Sequence, residues 1–243
     1  MTNSRQPTAC RNPAVLLLGP TGAGKTPLGE MIETRGLWGM PCLHFDFGAN
    51  LRAVAYDETE GRCPHPDVRL EEAGRGHFTP EEIAFLRDVL ESGALLEDEH
   101  YPLAERILQR FLDARGASEG TCVVLNGLPR HVGQARAIER LLDVRTVVVL
   151  DCSEATVRRR IEGNVGGDRQ SRTDDDPAAV HRKIELFRKR TEPLVDDYRQ
   201  RGIRVEHLAV GPETTPEEAW RALDARPPSL SPDRVPRSGD AGH

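Results

Sequence analysis

Short apolar runs punctuate the chain. Residues 14–18, Ala-Val-Leu-Leu-Leu, are continuous rather than alternating and are bounded by Pro13 and Gly19, which is the pattern of a strand buried on both faces. Residues 121–125, 145–150 and 203–208 have the same character, and 41–45 is a weaker version. Between these runs, helical patterns occupy 24–34, 49–56, 80–91 behind the cap Thr79, 99–114, 132–142, 154–162 and 177–201. Strands alternating with helices of this length predict βαβ units and a parallel sheet covered by helices on both faces, with residues 14–18 as its central strand. The expectation is a three-layer α/β fold around five parallel strands, filling residues 13–225. Residues 1–12 are expected to be a flexible N-terminus, and 226–243, dominated by Pro, Ser, Gly and Asp, a disordered tail. Two polar, turn-rich stretches interrupt the pattern: 64–76 reads as a surface excursion, and 163–176 as a mobile loop.

Charge and composition narrow the function classes. A net charge of −6 argues against a nucleic-acid polymer as partner, because such binding draws on clustered Lys and Arg. A local basic pocket for a small anion is compatible with that balance. No stretch approaches the ~20 apolar residues that span a bilayer, and residues 1–15 lack the apolar core of a signal peptide, so a cytoplasmic protein without a membrane partner is expected. Five cysteines (Cys10, Cys42, Cys63, Cys122 and Cys152) form no CxxC pair, which predicts reduced, partly buried thiols. Cys63, His65 and His77 lack the spacing and the fourth ligand of a metal site. Lys25, Lys183 and Lys189 are the only lysines among 33 basic residues, so a lysine here marks a position of interest.

The chemistry begins at Gly19-Pro-Thr-Gly-Ala-Gly24-Lys25-Thr26, directly after the first strand and opening a helix. This is a P-loop: Gly19, Thr21, Gly22, Ala23 and Gly24 turn backbone N–H groups toward phosphates, Lys25 offers a point charge, and Thr26 can ligate Mg²⁺. A glycine-rich turn with an incidental lysine would match the pattern in roughly 0.2% of chains of this composition. Nucleotide binding follows, and its purpose is the open question.

A second signal, Leu125-Asn126-Gly127-Leu128-Pro129-Arg130 with Gln134, follows the third strand. Together with three further segments it resembles the adenylate kinase and nucleoside monophosphate kinase family over about residues 14–210. Residues 45–52, Phe-Asp-Phe-Gly-Ala-Asn-Leu-Arg, are similar to that family's monophosphate site. Ser171-Arg172-Thr-Asp174-Asp175 is similar to the end of its lid, and 187–198 to its Thr-x-Pro-Leu helix. The resemblance implies a monophosphate-binding helical insertion at about 46–78 and a short lid at about 163–175. It implies that Phe47, Gly48, Arg52, Gly127, Arg130 and Gln134 bind the monophosphate, with Arg52 and Arg130 clamping its phosphate and Gln134 contacting its base. Lys25, Arg130, Arg172 and Lys183 would be catalytic, Arg172 closing with the lid onto the phosphoryl group in transit. Thr26 and Asn126 would attend Mg²⁺. Asp174, Asp175 and Asp176 also read as an N-cap cluster for the helix at Pro177.

The departures bear on rate and substrate. Asn126 stands where the family has a carboxylate, so Mg²⁺ binding weakens unless Asp46 or Asp151, also at strand ends, takes part. Phe47 replaces a small polar residue, Asn164 and Lys183 replace arginines, and Pro27 falls in the first turn after the P-loop, where proline is tolerated. Eleven residues between Arg160 and Arg172 make the lid the short type. The expected function is transfer of the γ-phosphoryl group of MgATP to a nucleoside monophosphate by a monomer, AMP first and UMP or CMP next. Two alternatives stay open. One is a small-metabolite kinase of the shikimate or gluconate kind, supported by Gly29 and Asp46. The other is a weakly catalytic ATP sensor, supported by Asn126, Asn164 and Lys183.

Overall fold

A computed structural model describes residues 11–56, 75–118, 120–167 and 177–228. Five parallel strands, β1 (Asn12–Leu18), β2 (Cys42–Asp46), β3 (Cys122–Asn126), β4 (Leu142–Asp151) and β5 (Arg204–Ala209), form one sheet in the order β2-β3-β1-β4-β5. The run at 14–18 is therefore the central strand, as its apolar pattern predicts. Its side chains sort by parity: Ala14, Leu16 and Leu18 join one core and Val15 and Leu17 the other. That division is what a strand packed on both faces requires.

Helices α1 (Lys25–Arg35) and α9 (Pro216–Asp224) cover one face of the sheet, adding Leu28, Ile32 and Leu223 to the smaller core. The larger core lies on the opposite face. It is built from α2 (Phe47–Ala55), α3 (Pro80–Ser92), α4 (Tyr101–Ala114), α5 (Val132–Ile138) and α8 (Pro193–Gln200). Two further helices, α6 (Glu154–Glu162) and α7 (Pro177–Leu186), flank the loop that separates them in sequence, sharing a small cluster of Val157, Val180 and Ile184. Among the described residues no helix is long and apolar enough to cross a membrane.

Three differences from the sequence pattern have local causes. The helix read at 132–142 ends at Ile138, and β4 starts at Leu142. Leu142 and Val144 are buried while Asp143 and Arg145 face outward, so the strand begins with a period of two that the later Val-Val-Val run hides. The helix read at 177–201 is three segments, because residues Phe187–Thr191 widen into a π turn with Glu192 N–H donating to the Phe187 carbonyl, five residues back. Pro193, which has no N–H, then opens α8. Helix α9 is absent from the sequence reading although its start repeats an available signal. Thr215-Pro-Glu-Glu218 forms the same reciprocal capping box as Thr79-Pro-Glu-Glu82 at α3.

Candidate active site

The strand order places the site. Chain leaving β1 runs past β3 to β2, whereas chain leaving β3 runs past β1 to β4. Loops therefore diverge at the carboxyl ends of these two central strands, where α/β sheets open a crevice. One cleft there is lined by residues from every motif within the described residues: Gly19, Thr21, Gly22, Gly24, Lys25 and Thr26 on one side, and Phe47, Gly48, Arg52, Gly127, Arg130 and Gln134 on the other. Asn126 and Lys183 line it too. Arg172, the aspartates 174–176, Cys63 and His65 lie outside the described residues.

The P-loop side is made by the loop between β1 and α1. Gly24 has φ +95°, and a Cβ there would sit 3.0 Å from the Arg160 guanidinium, so conformation and space both call for glycine. Lys25 bridges the Gly19 and Pro20 carbonyls, 2.8 Å from each. Ala23 does not line the cleft; its methyl is buried in the core beneath, and its N–H donates to the Pro20 carbonyl at 3.3 Å. Pro27 is the third residue of α1, where its missing N–H breaks no helical bond.

Arg160 is a structural residue of this loop that sequence reasoning missed. Only 5% exposed, it donates to the Gly22 carbonyl at 3.2 Å and to the Gly211 and Thr214 carbonyls at 2.9 and 2.7 Å. The guanidinium thus ties the P-loop to the loop after β5. A helical-phase signal was available: within Arg158-Arg159-Arg160, only Arg160 falls on the face of α6 that carries Val157 and Ile161.

At the strand ends the two sides meet. Asp46 and Asn126 are register partners on β2 and β3. The Thr26 hydroxyl donates to Asp46 Oδ2 at 2.7 Å. The Asn126 amide donates to the same Oδ2 at 2.8 Å and to Thr26 Oγ1 at 3.0 Å. The other oxygen of Asp46 caps α2, accepting from Ala49 N–H at 2.9 Å. Burial pushes the Asp46 carboxyl up, but His44, the Thr26 and Ala49 hydrogen bonds and Arg52 together hold it below the usual carboxylate range. Asp151, the other carboxylate of interest, instead pairs with His207 at 2.9 Å, and both side chains are about half exposed, outside the cleft.

The opposite side is assembled from separated elements. Arg52 lies over Gly48, whose Cβ would be 3.4 Å from the guanidinium. Arg130 folds over Gly127, donating to its carbonyl at 2.8 Å. Gln134 is 1% exposed, with Oε1 accepting from Arg130 N–H at 2.8 Å and Nε2 donating to the Leu96 carbonyl at 2.7 Å. In this structure its amide fastens the 94–96 wall to the Arg130 turn. Arg190 pairs with Glu97 through both carboxylate oxygens, at 2.9 and 2.6 Å, and Thr191 Oγ1 donates to the Arg130 carbonyl at 2.9 Å. The π turn thus holds the same wall from behind.

One departure, Asn164, and one residue offered for the small-metabolite alternative, Gly29, acquire structural reasons. Asn164 has φ +43° in the turn after α6, a left-handed conformation that asparagine tolerates better than arginine does. A methyl on Gly29 would overlap the His44 ring, so packing of α1 on β2 accounts for this glycine without a substrate role.

A P-loop at the sheet's switch point, facing two arginines across one cleft, defines a P-loop phosphotransferase. Comparison with known proteins extends this. An adenylate kinase of Sinorhizobium medicae is 30% identical over 199 residues, covering 77% of this chain and 87% of the relative. An adenylate kinase of Natronomonas pharaonis is 28% identical over 235 residues (88% of this chain, 96% of the relative), and one of Thermus thermophilus 28% over 219 (87% and 95%). No protein-family model matches the chain. The chain belongs to the adenylate kinase family, as a divergent member and an ATP-dependent phosphotransferase of the nucleoside monophosphate kinase type.

Proposed function

We propose that the protein transfers the γ-phosphoryl group of MgATP to AMP, yielding two molecules of ADP. The carrying observation is the single cleft in which the P-loop faces Arg52, Arg130 and Lys183. A phosphate oxygen of AMP attacks the γ-phosphorus while the bond to the β–γ bridging oxygen breaks, and that oxygen leaves as part of ADP. No covalent enzyme intermediate is needed, because alignment and charge stabilisation carry the catalysis. Lys25 turns from its loop carbonyls to the β and γ phosphates. Arg52 and Arg130 hold the acceptor phosphate with planar guanidinium forks. Lys183 and Arg172 stabilise charge on the group in transit, and closure of the 163–175 segment keeps water from the γ-phosphate.

The apolar acceptor wall of Phe47, Leu51, Val89, Leu90 and Leu96 suits the face of a purine, and the relatives named above are adenylate kinases, which favours AMP over UMP and CMP. Thr26 and Asn126 would hold Mg²⁺ together with the ATP phosphates. Oxygen groups at the strand ends fit a hard cation that kinases bind largely through the nucleotide, and the ion neutralises phosphate charge when bound. The test is ADP formation from MgATP against AMP, UMP, CMP, GMP, dTMP, shikimate and gluconate. Preferred turnover of AMP is expected; preference for another acceptor, or none, overturns the assignment.

A further inference from the structure

The family resemblance puts a carboxylate at position 126, and this chain has an amide there. On the neighbouring strand, at the register partner of that position, stands Asp46. We propose that Asp46 supplies the negative charge for the Mg²⁺ of the bound nucleotide, the carboxylate having been exchanged from β3 to β2 beside the P-loop threonine.

Three observations carry this inference, which rests on the kinase reading above. First, Asp46 Oδ2 is bonded directly to Thr26 Oγ1, at 2.7 Å. A hydroxyl has one donor and two acceptor positions. Here the donor goes to Asp46 and one acceptor position to Asn126, which leaves the other for a cation. Second, Asn126 is oriented as a partner of Asp46 rather than as its replacement. Its Nδ2 donates to both Asp46 and Thr26, and an amide in that position stabilises a carboxylate, whereas a second carboxylate would repel it. The pair therefore keeps a single negative charge. Third, Asp151, the other strand-end carboxylate considered, is outside the cleft and paired with His207, whereas Asp46 lines the cleft with Thr26 and Lys25.

The bland alternative is that Asp46 serves only as the N-cap of α2. Asn and Ser cap helices about as well as Asp, so substituting them removes the charge and keeps the cap. The experiment is a titration of the full chain, saturated with ADP, with Mn²⁺, reading free metal by electron paramagnetic resonance, alongside ADP affinity measured in EDTA. Asp46→Asn and Asp46→Ser are expected to raise the Mn²⁺ Kd about 10-fold or more, with a smaller change in metal-free ADP affinity. Moving the charge back, in Asp46→Asn combined with Asn126→Asp, is expected to recover most of that loss. A Mn²⁺ Kd within 2-fold of wild type in either single variant overturns the proposal. So does an equal loss of metal-free ADP affinity. Turnover of wild type with AMP is read separately. A protein that transfers to no monophosphate yet loses Mn²⁺ on Asp46→Asn refutes the proposed acceptor and supports the metal assignment.

Discussion

The two walls of the cleft, named donor and acceptor walls after the roles proposed for them, are built by opposite means. The donor wall is one continuous loop from Gly19 to Thr26, shaped by glycine and closed by the Lys25 bridges to its own carbonyls. The acceptor wall joins α2, the segment after α3, the turn after β3 and the π turn, and long-range side-chain bonds hold it. Gln134 reaches Leu96, Arg190 reaches Glu97, and Thr191 reaches Arg130. Phosphate recognition by backbone N–H groups is a local property of the chain. Shaping a pocket for a particular acceptor requires surfaces that only folding brings together.

The largest effect should come from the donor wall. Lys25→Ala removes a charge that no neighbouring side chain in the loop replaces, and kcat/KM is expected to fall at least about 100-fold in steady-state assays. Arg130→Ala tests the opposite wall. It should lower kcat/KM for the monophosphate about 10–100-fold, the scale of a lost hydrogen bond to a charged group, through a higher acceptor KM and a lower kcat with the ATP KM little altered. Equal effects on both substrates would show that the two walls are energetically one unit.

Arg160→Met asks whether the donor wall is as self-sufficient as its sequence suggests. Removing the guanidinium takes the hydrogen-bond partner from the part-buried carbonyls of Gly22, Gly211 and Thr214, and should cost about 2–3 kcal/mol in denaturant unfolding and weaken ATP more than the monophosphate. Gln134→Leu is the smallest and cuts the other way. Losing the bonds to Arg130 N–H and the Leu96 carbonyl should cost about 1–2 kcal/mol and raise the acceptor KM. Unaltered stability with a raised KM would make Gln134 a contact of the base rather than a fastener of the wall.

Much of this architecture was legible in the order of residues. Residues 14–18 announce a doubly buried central strand, the glycines and Lys25 announce the loop after it, and Thr79 announces the start of α3. Helix α9 was equally legible and was missed, since Thr215-Pro-Glu-Glu218 repeats the cap at Thr79. The π turn was less legible: Pro193 marks a break, but nothing local says that the preceding turn widens to bring Thr191 onto the Arg130 carbonyl.

The sequence by itself determined the sheet's central strand, the phosphate loop and the set of side chains available to a nucleotide. Those features depend on hydrophobic period, on glycine's tolerance of positive φ and on neighbours within a few residues. Only the tertiary structure decided which carboxylate stands beside Thr26, that the Arg160 guanidinium reaches the carbonyls of the P-loop and of the loop after β5, and that the Gln134 amide fastens a wall. Thr26, Asp46 and Asn126 lie 20 and 80 residues apart; parallel strand register puts Asp46 and Asn126 at one height, and Thr26 meets them from the first turn of α1. No local rule of spacing encodes that register; it arises when both faces of the sheet are packed at once.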